Sequence, residues 1–128
     1  WANSAAAITI AAISANRHSL LNLPLAAYKH YADKVEQGFN IAAKFLRSLR
    51  IYRTYDLPYQ SQIVSLAATI AELGHEFEHD TVRRRVSEWY WCGVFGELYG
   101  SAIESRLALD IAELPAWARG GERLPSTV

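Results

Sequence analysis

The hydrophobic pattern along the chain is helical almost throughout. From Ser4 to Ser14, Ile8, Ile10 and Ile13 stand among alanines, a composition that favours helix, although Ile8-Thr9-Ile10 alone also fits a short strand. A second helix is predicted from Asn22-Leu23-Pro24, with proline in its first turn, to about Lys34. From about Glu36 to Arg50, Phe39, Ala42, Ala43, Leu46 and Leu49 or Arg50 recur at helical spacing, while Lys44, Arg47 and Ser48 fall off that stripe. After an aromatic connection at 51–55, Asp56-Leu57-Pro58 reads as the cap and first turn of a fourth helix. Ile63, Leu66, Ala67, Ile70 and Leu73 form its buried stripe, and Gly74 closes it in the left-handed conformation.

Asp80 or Thr81 then caps a helix that crowds Trp89, Tyr90, Trp91, Phe95 and Tyr99 into one run and stops at Gly100. Large rings face nearly every direction around its axis, so neighbours must wrap it, and Trp89, Trp91, Phe95 and Tyr99 are expected to hold the core. Ser101-Ala-Ile-Glu104 fits a capping box for the last helix, whose stripe is Leu107, Ile111 and Leu114. Pro115 is expected to kink or end it, with Trp117 packing back before Gly120-Gly121. No alternating strand pattern and no internal repeat occurs. The expected architecture is all-α, a single-domain bundle of five or six helices over 1–128.

Composition narrows the function classes. A chain of 128 residues, 51% hydrophobic and 20% charged, has the length for one core and the wrong composition for disorder. Thirteen basic residues balance thirteen acidic ones, so no overall positive field draws nucleic acid to it and such a role needs a local patch. The single cysteine, Cys92, excludes an intramolecular disulfide and reads as a small core residue rather than a nucleophile. The apolar opening has no basic leader and is shorter than a membrane span, so no membrane partner and a cytoplasmic location are expected. A start on tryptophan and a stop in Arg-Leu-Pro-Ser-Thr-Val suggest a piece of something longer.

Three groups of residues carry candidate chemistry. His75-Glu76-Phe77-Glu78-His79 matches the zinc-hydrolase pattern, in which two histidines one helical turn apart hold the metal and the glutamate takes a proton from bound water. That geometry needs an unbroken helix, whereas Gly74 precedes the motif and Asp80-Thr81 follows it. With Glu72, Glu76, Glu78 and Asp80 together, the segment reads better as a solvated interhelical connection. Lys44, Arg47, Arg50 and Arg53 form one cationic run, and Arg83, Arg84 and Arg85 another. Either fits phosphate contacts of a small helical DNA-binding module, or the ordinary charged face of a helix. Glu104 and Arg106 are expected to act as a polar pair that organises the last helices or an interface. No glycine-rich phosphate loop or nucleophile elbow is present.

The segments Asp56-Leu-Pro-Tyr-Gln-Ser-Gln-Ile-Val-Ser-Leu-Ala-Ala68, Ser87-Glu-Trp-Tyr-Trp-Cys-Gly-Val-Phe-Gly-Glu-Leu-Tyr-Gly100 and Glu104-Ser-Arg-Leu-Ala-Leu-Asp110 together resemble the helical region of GmrSD-type modification-dependent restriction endonucleases. The resemblance covers about residues 40 to 128. In that family an amino-terminal ParB-like domain with an Asp-Gly-Gln-Gln-Arg motif is linked to nucleotide hydrolysis, and a carboxy-terminal His-Asn-His-type domain, where present, cuts DNA. Neither motif occurs here. The resemblance thus implies a non-catalytic helical scaffold with no cofactor of its own, whose partners are the other domains of a parent protein and, through it, DNA.

Overall fold

The computed structural model describes residues 25–128. The helix expected at 4–14 and the start at Asn22-Leu23-Pro24 lie outside them. Among the described residues there are four α-helices and no strand: α1 (Leu25–Ser48), α2 (Gln62–Leu73), α3 (Asp80–Phe95) and α4 (Ile103–Ala118), with short 3-10 turns at Thr54–Asp56 and Gly74–Glu78. The all-α class holds. Among the described residues the count is one lower than expected, because the two helices expected at about 24–34 and 36–50 are one continuous helix of 24 residues, about 36 Å long. Nothing between Lys34 and Gln37 breaks a helix, and Gly38, which interrupts by propensity, is kept for packing. A Cβ built there would lie 2.5 Å from the Ala67 carbonyl oxygen, so only glycine lets α1 approach the α2 backbone so closely.

α2 is the most enclosed element. Gln62 and the run Ser65–Ile70 are buried, as is Leu73, because α1, α3 and α4 all pack on this helix. The stripe expected there is present, with Ile63 half-buried. The aromatic helix α3 is enclosed on one side only. Trp89 and Tyr90 are fully buried, Trp91 is half-buried, and Phe95 is 79% exposed, stacked on Trp91 with centroids 5.7 Å apart. Phe95 therefore does not hold the core. Four bulky rings within seven residues exceed what one helix face can bury, and the outer pair is left over.

The helix ends follow from which residue turns left-handed. α1 closes with Arg50 at φ 68, the Arg50 N–H donating to Arg47 O and the Ile51 N–H to Leu46 O, both at 3.0 Å. This pairing places arginine where glycine costs about 1 kcal/mol less. α3 closes in the same way three residues before Gly100: Glu97 takes φ 53, its N–H donates to Val94 O and that of Leu98 to Gly93 O, both at 3.2 Å. Tyr99 thereby leaves the helix and turns inward, 2% exposed.

The expected caps are not made. Asp56 Oδ2 accepts from the Arg53 N–H at 3.1 Å, closing the loop rather than capping α2, which starts after the turn Tyr59–Ser61. The Ser101–Glu104 box does not form because Ala102, at φ 52, precedes α4 in the left-handed conformation with no side-chain cap. α4 also runs through Pro115 to Ala118. Pro115 lies in its last turn, where its carbonyl still accepts from the Arg119 N–H at 3.1 Å, and it is buried. Trp117 packs inward at 5% exposure.

Candidate functional site

The strongest convergence of polar groups lies inside the bundle, on Asp110 of α4. This residue is fully buried. Its Oδ1 accepts from the Trp89 indole Nε1 at 3.1 Å and from the Thr127 hydroxyl, and its Oδ2 accepts from the Tyr99 hydroxyl. Burial pushes the Asp110 carboxyl above the ordinary range, opposed by the Thr127, Tyr99 and Trp89 hydrogen bonds and by the charge of Arg106. Desolvation and then the carboxylate charge raise the Tyr99 phenol strongly, so it remains a donor. The arrangement ties α3, the turn after it, α4 and the chain end to one point.

A polar seam on α2 borders this centre. Gln62 Nε2 donates to Tyr90 O at 2.9 Å, and Ser65 sits beside the Tyr99 phenol. Gly93 permits the convergence: a Cβ there would stand 2.6 Å from Gln62 Nε2, 3.0 Å from Tyr99 Cε2 and 3.4 Å from Thr127 Cγ2. Gln62 Oε1, Ser65 Oγ, Thr69 Oγ1, Tyr90 OH and Arg106 Nη1 are buried without a hydrogen-bond partner. Burial alone raises the Tyr90 phenol to about 12. Outside this centre, Glu113 accepts from the Ser126 N–H at 2.7 Å and from its hydroxyl, and the backbone donor, foremost, holds its carboxyl below the usual range.

The His75–His79 motif is placed differently from a helical zinc site. Gly74–Glu78 winds as a 3-10 turn and His79 is extended at φ −73, ψ 131. Because a 3-10 turn advances about 120° per residue, positions four apart point about 120° from one another instead of sharing a face. His75 Nδ1 lies 3.7 Å from Glu78 Oε1 on the open surface. Glu76, the residue the pattern makes a base, is held by Arg119 Nε at 2.8 Å, while Arg119 Nη2 donates to Glu72 O at 3.1 Å. Among the described residues no group of three or more His, Cys, Asp or Glu is disposed to hold a metal. A groove of about 560 Å³ opens beside this turn, with Ile41, Phe45, Ile70 and Phe77 on its walls and Lys44, His75 and Arg83 at its edge.

The two cationic runs differ in their contacts. Lys44, Arg47, Arg50 and Arg53 are exposed. In the second run Arg83 and Arg84 are exposed and Arg85 is half-buried. Arg83 lies over the Phe77 ring at 5.7 Å, and Arg85 lies over the Trp117 ring at 5.2 Å while Nη1 donates to the Trp117 and Gly121 carbonyls. Arg85 thus caps the end of α4. Glu104 is exposed and unbonded to Arg106, because residues two apart on a helix face apart. Arg106 instead acts on Asp110 and Glu113, one and two turns along. Cys92 is half-buried and free.

Sequence reasoning did not single out Asp110, Thr127, Gln62 or Gly93. Asp110 did carry a signal, a carboxylate inside the Leu107, Ile111 and Leu114 stripe. The class defined by this geometry is an all-α body organised around a closed polar centre. The chain matches no known protein family, no curated protein and no solved structure. Among the described residues no helix is long and apolar enough to cross a membrane.

Proposed function

We propose that this helical body is a non-catalytic scaffold and interaction domain of a GmrSD-like restriction protein, holding nucleotide-hydrolysing and DNA-cleaving parts of a longer chain in register. The observation that carries the reading is Asp110. Its carboxylate is fully buried and satisfied by Trp89, Tyr99 and Thr127, so it braces four segments and offers nothing to a substrate. Cytoplasmic location and partnership with neighbouring domains belong to the same proposal, and the quoted sequence resemblance supplies the family.

The test is the encoded sequence on either side of these residues, together with activity of the purified chain. Asp-Gly-Gln-Gln-Arg upstream, with no nucleotide hydrolysis or DNA cleavage by the chain alone, is the expected result. A secretion leader upstream, or turnover by this chain that Asp110→Asn abolishes, would overturn it.

A further inference from the structure

One exposed stretch of the chain, from the end of α1 into the turn after it, combines cations with aromatic rings. Lys44, Arg47, Arg50 and Arg53 follow one another at three-residue intervals, and no acid occurs between Glu36 and Asp56. Asp56 itself is occupied with the Arg53 N–H. Between and beside the arginines stand Tyr52 and Tyr55, 62% and 72% exposed, which contribute little to the core. Arg53 holds one of them in place: Nη1 donates to the Tyr55 hydroxyl at 3.0 Å and the guanidinium lies 5.7 Å from the ring centroid. Arg47, Tyr52 and Arg53 rim a depression of about 120 Å³ floored by Leu46, Ile51 and Ile63.

The chemistry that matches is a chain of phosphates with accessible planar bases. Arginines spaced along a surface neutralise phosphates, while an exposed tyrosine ring gains from stacking only if the base faces are free, as they are in a single strand and not in a duplex. With no net charge on the chain, such binding has to be local. We infer that the exposed stretch from Arg47 to Tyr55, with Arg47, Arg50, Tyr52, Arg53 and Tyr55, binds single-stranded nucleic acid, the arginines on its phosphates and the tyrosines stacked on its bases. The inference rests on the scaffold reading only in naming a partner for an exposed stretch, and it does not need the family assignment.

The test is fluorescence anisotropy of the 128-residue chain with a labelled oligothymidylate over a salt series, and with a duplex of equal length. Binding is expected to weaken with salt and to favour the single strand. Tyr52→Ala combined with Tyr55→Ala should lower affinity about tenfold or more, and Arg47→Gln should reduce the slope of log affinity against log salt by about 0.7. Arg50→Gly separates binding from folding, because glycine suits the left-handed position: the melting temperature should stay or rise while affinity and slope fall. No binding at low salt, equal affinity for duplex with no loss in the tyrosine variant, or full binding by Arg50→Gly would each overturn the inference. None of these results touches the scaffold proposal, which the adjoining sequence decides.

Discussion

Replacing Asp110 probes the centre of the molecule most directly. In Asp110→Ala the Trp89 indole, the Tyr99 hydroxyl and the Thr127 hydroxyl all lose their acceptor. Thr127, like Trp89, is buried, and only Tyr99 has another acceptor beside it, in Ser65, so two buried donors, Trp89 and Thr127, remain orphaned, each costing about 1–3 kcal/mol. Relief from burying a carboxylate offsets part of this, leaving a net loss of about 3 kcal/mol. Asp110→Asn keeps one oxygen for Trp89 and Thr127 and turns an amide toward Tyr99, whose hydroxyl can reorient toward Ser65, so its loss at neutral pH should stay under about 1 kcal/mol. The pH dependence distinguishes the two forms further. Because the folded carboxyl is raised, its contribution is fully present below the unfolded value of about 3.9 and fades as pH rises through the folded one. Asp110→Asn should therefore gain on the native protein between acid and neutral pH. Urea unfolding followed by tryptophan fluorescence at several pH values measures all of this. Equal stability of Asp110→Ala and the native protein, or equal losses for Ala and Asn at neutral pH, would refute the reasoning.

The glycines give sharper steric expectations. Gly93→Ala should destabilise by about 1–2 kcal/mol in urea unfolding, overpacking against Gln62 and Tyr99 outweighing the helix-propensity gain of about 1 kcal/mol; a net gain would show that the seam is loose. Gly38→Ala meets backbone at Ala67 and should cost about 2 kcal/mol, where an exposed helical glycine would give a gain. Glu113 has a lowered carboxyl, so its hold on Ser126 is present above the unfolded range and lost as pH falls through the folded value. Glu113→Gln should flatten the acid limb of the stability profile, and an unchanged limb would assign it to other groups.

How much of this was legible in the sequence depends on the range of the physics involved. The stripe of Leu66, Ala67, Ile70 and Leu73 was readable because periodicity is local, and so was the all-α class. Helix ends were not. Gly100 marked the stop of α3 by composition, yet Glu97 takes the left-handed turn, since the inward path of Tyr99 is set by Asp110 rather than by local preference. The break expected near residue 35 failed because nothing between Lys34 and Gln37 interrupts a helix, and Gly38 just beyond serves a close approach to α2 that no neighbour in sequence announces. Asp110 was the largest omission. Its three donors come from positions 21, 11 and 17 residues away, and only the oddity of a carboxylate in an apolar stripe pointed to it. The His75–His79 pattern misled in the opposite sense, as letters at helical spacing on a turn that winds differently.

A closed scaffold requires the polar centre around Asp110 to be sealed. Hydrogen exchange of the Trp89 indole N–H, assigned by its loss in Trp89→Phe, reads that directly. Exchange slowed to the rate set by global unfolding, tracking stability as urea is added, is expected for a donor locked onto Asp110 in the core. An indole that exchanges as quickly as an exposed one, in protein that is otherwise folded, would contradict the closed scaffold and return Asp110 to the surface as a working site.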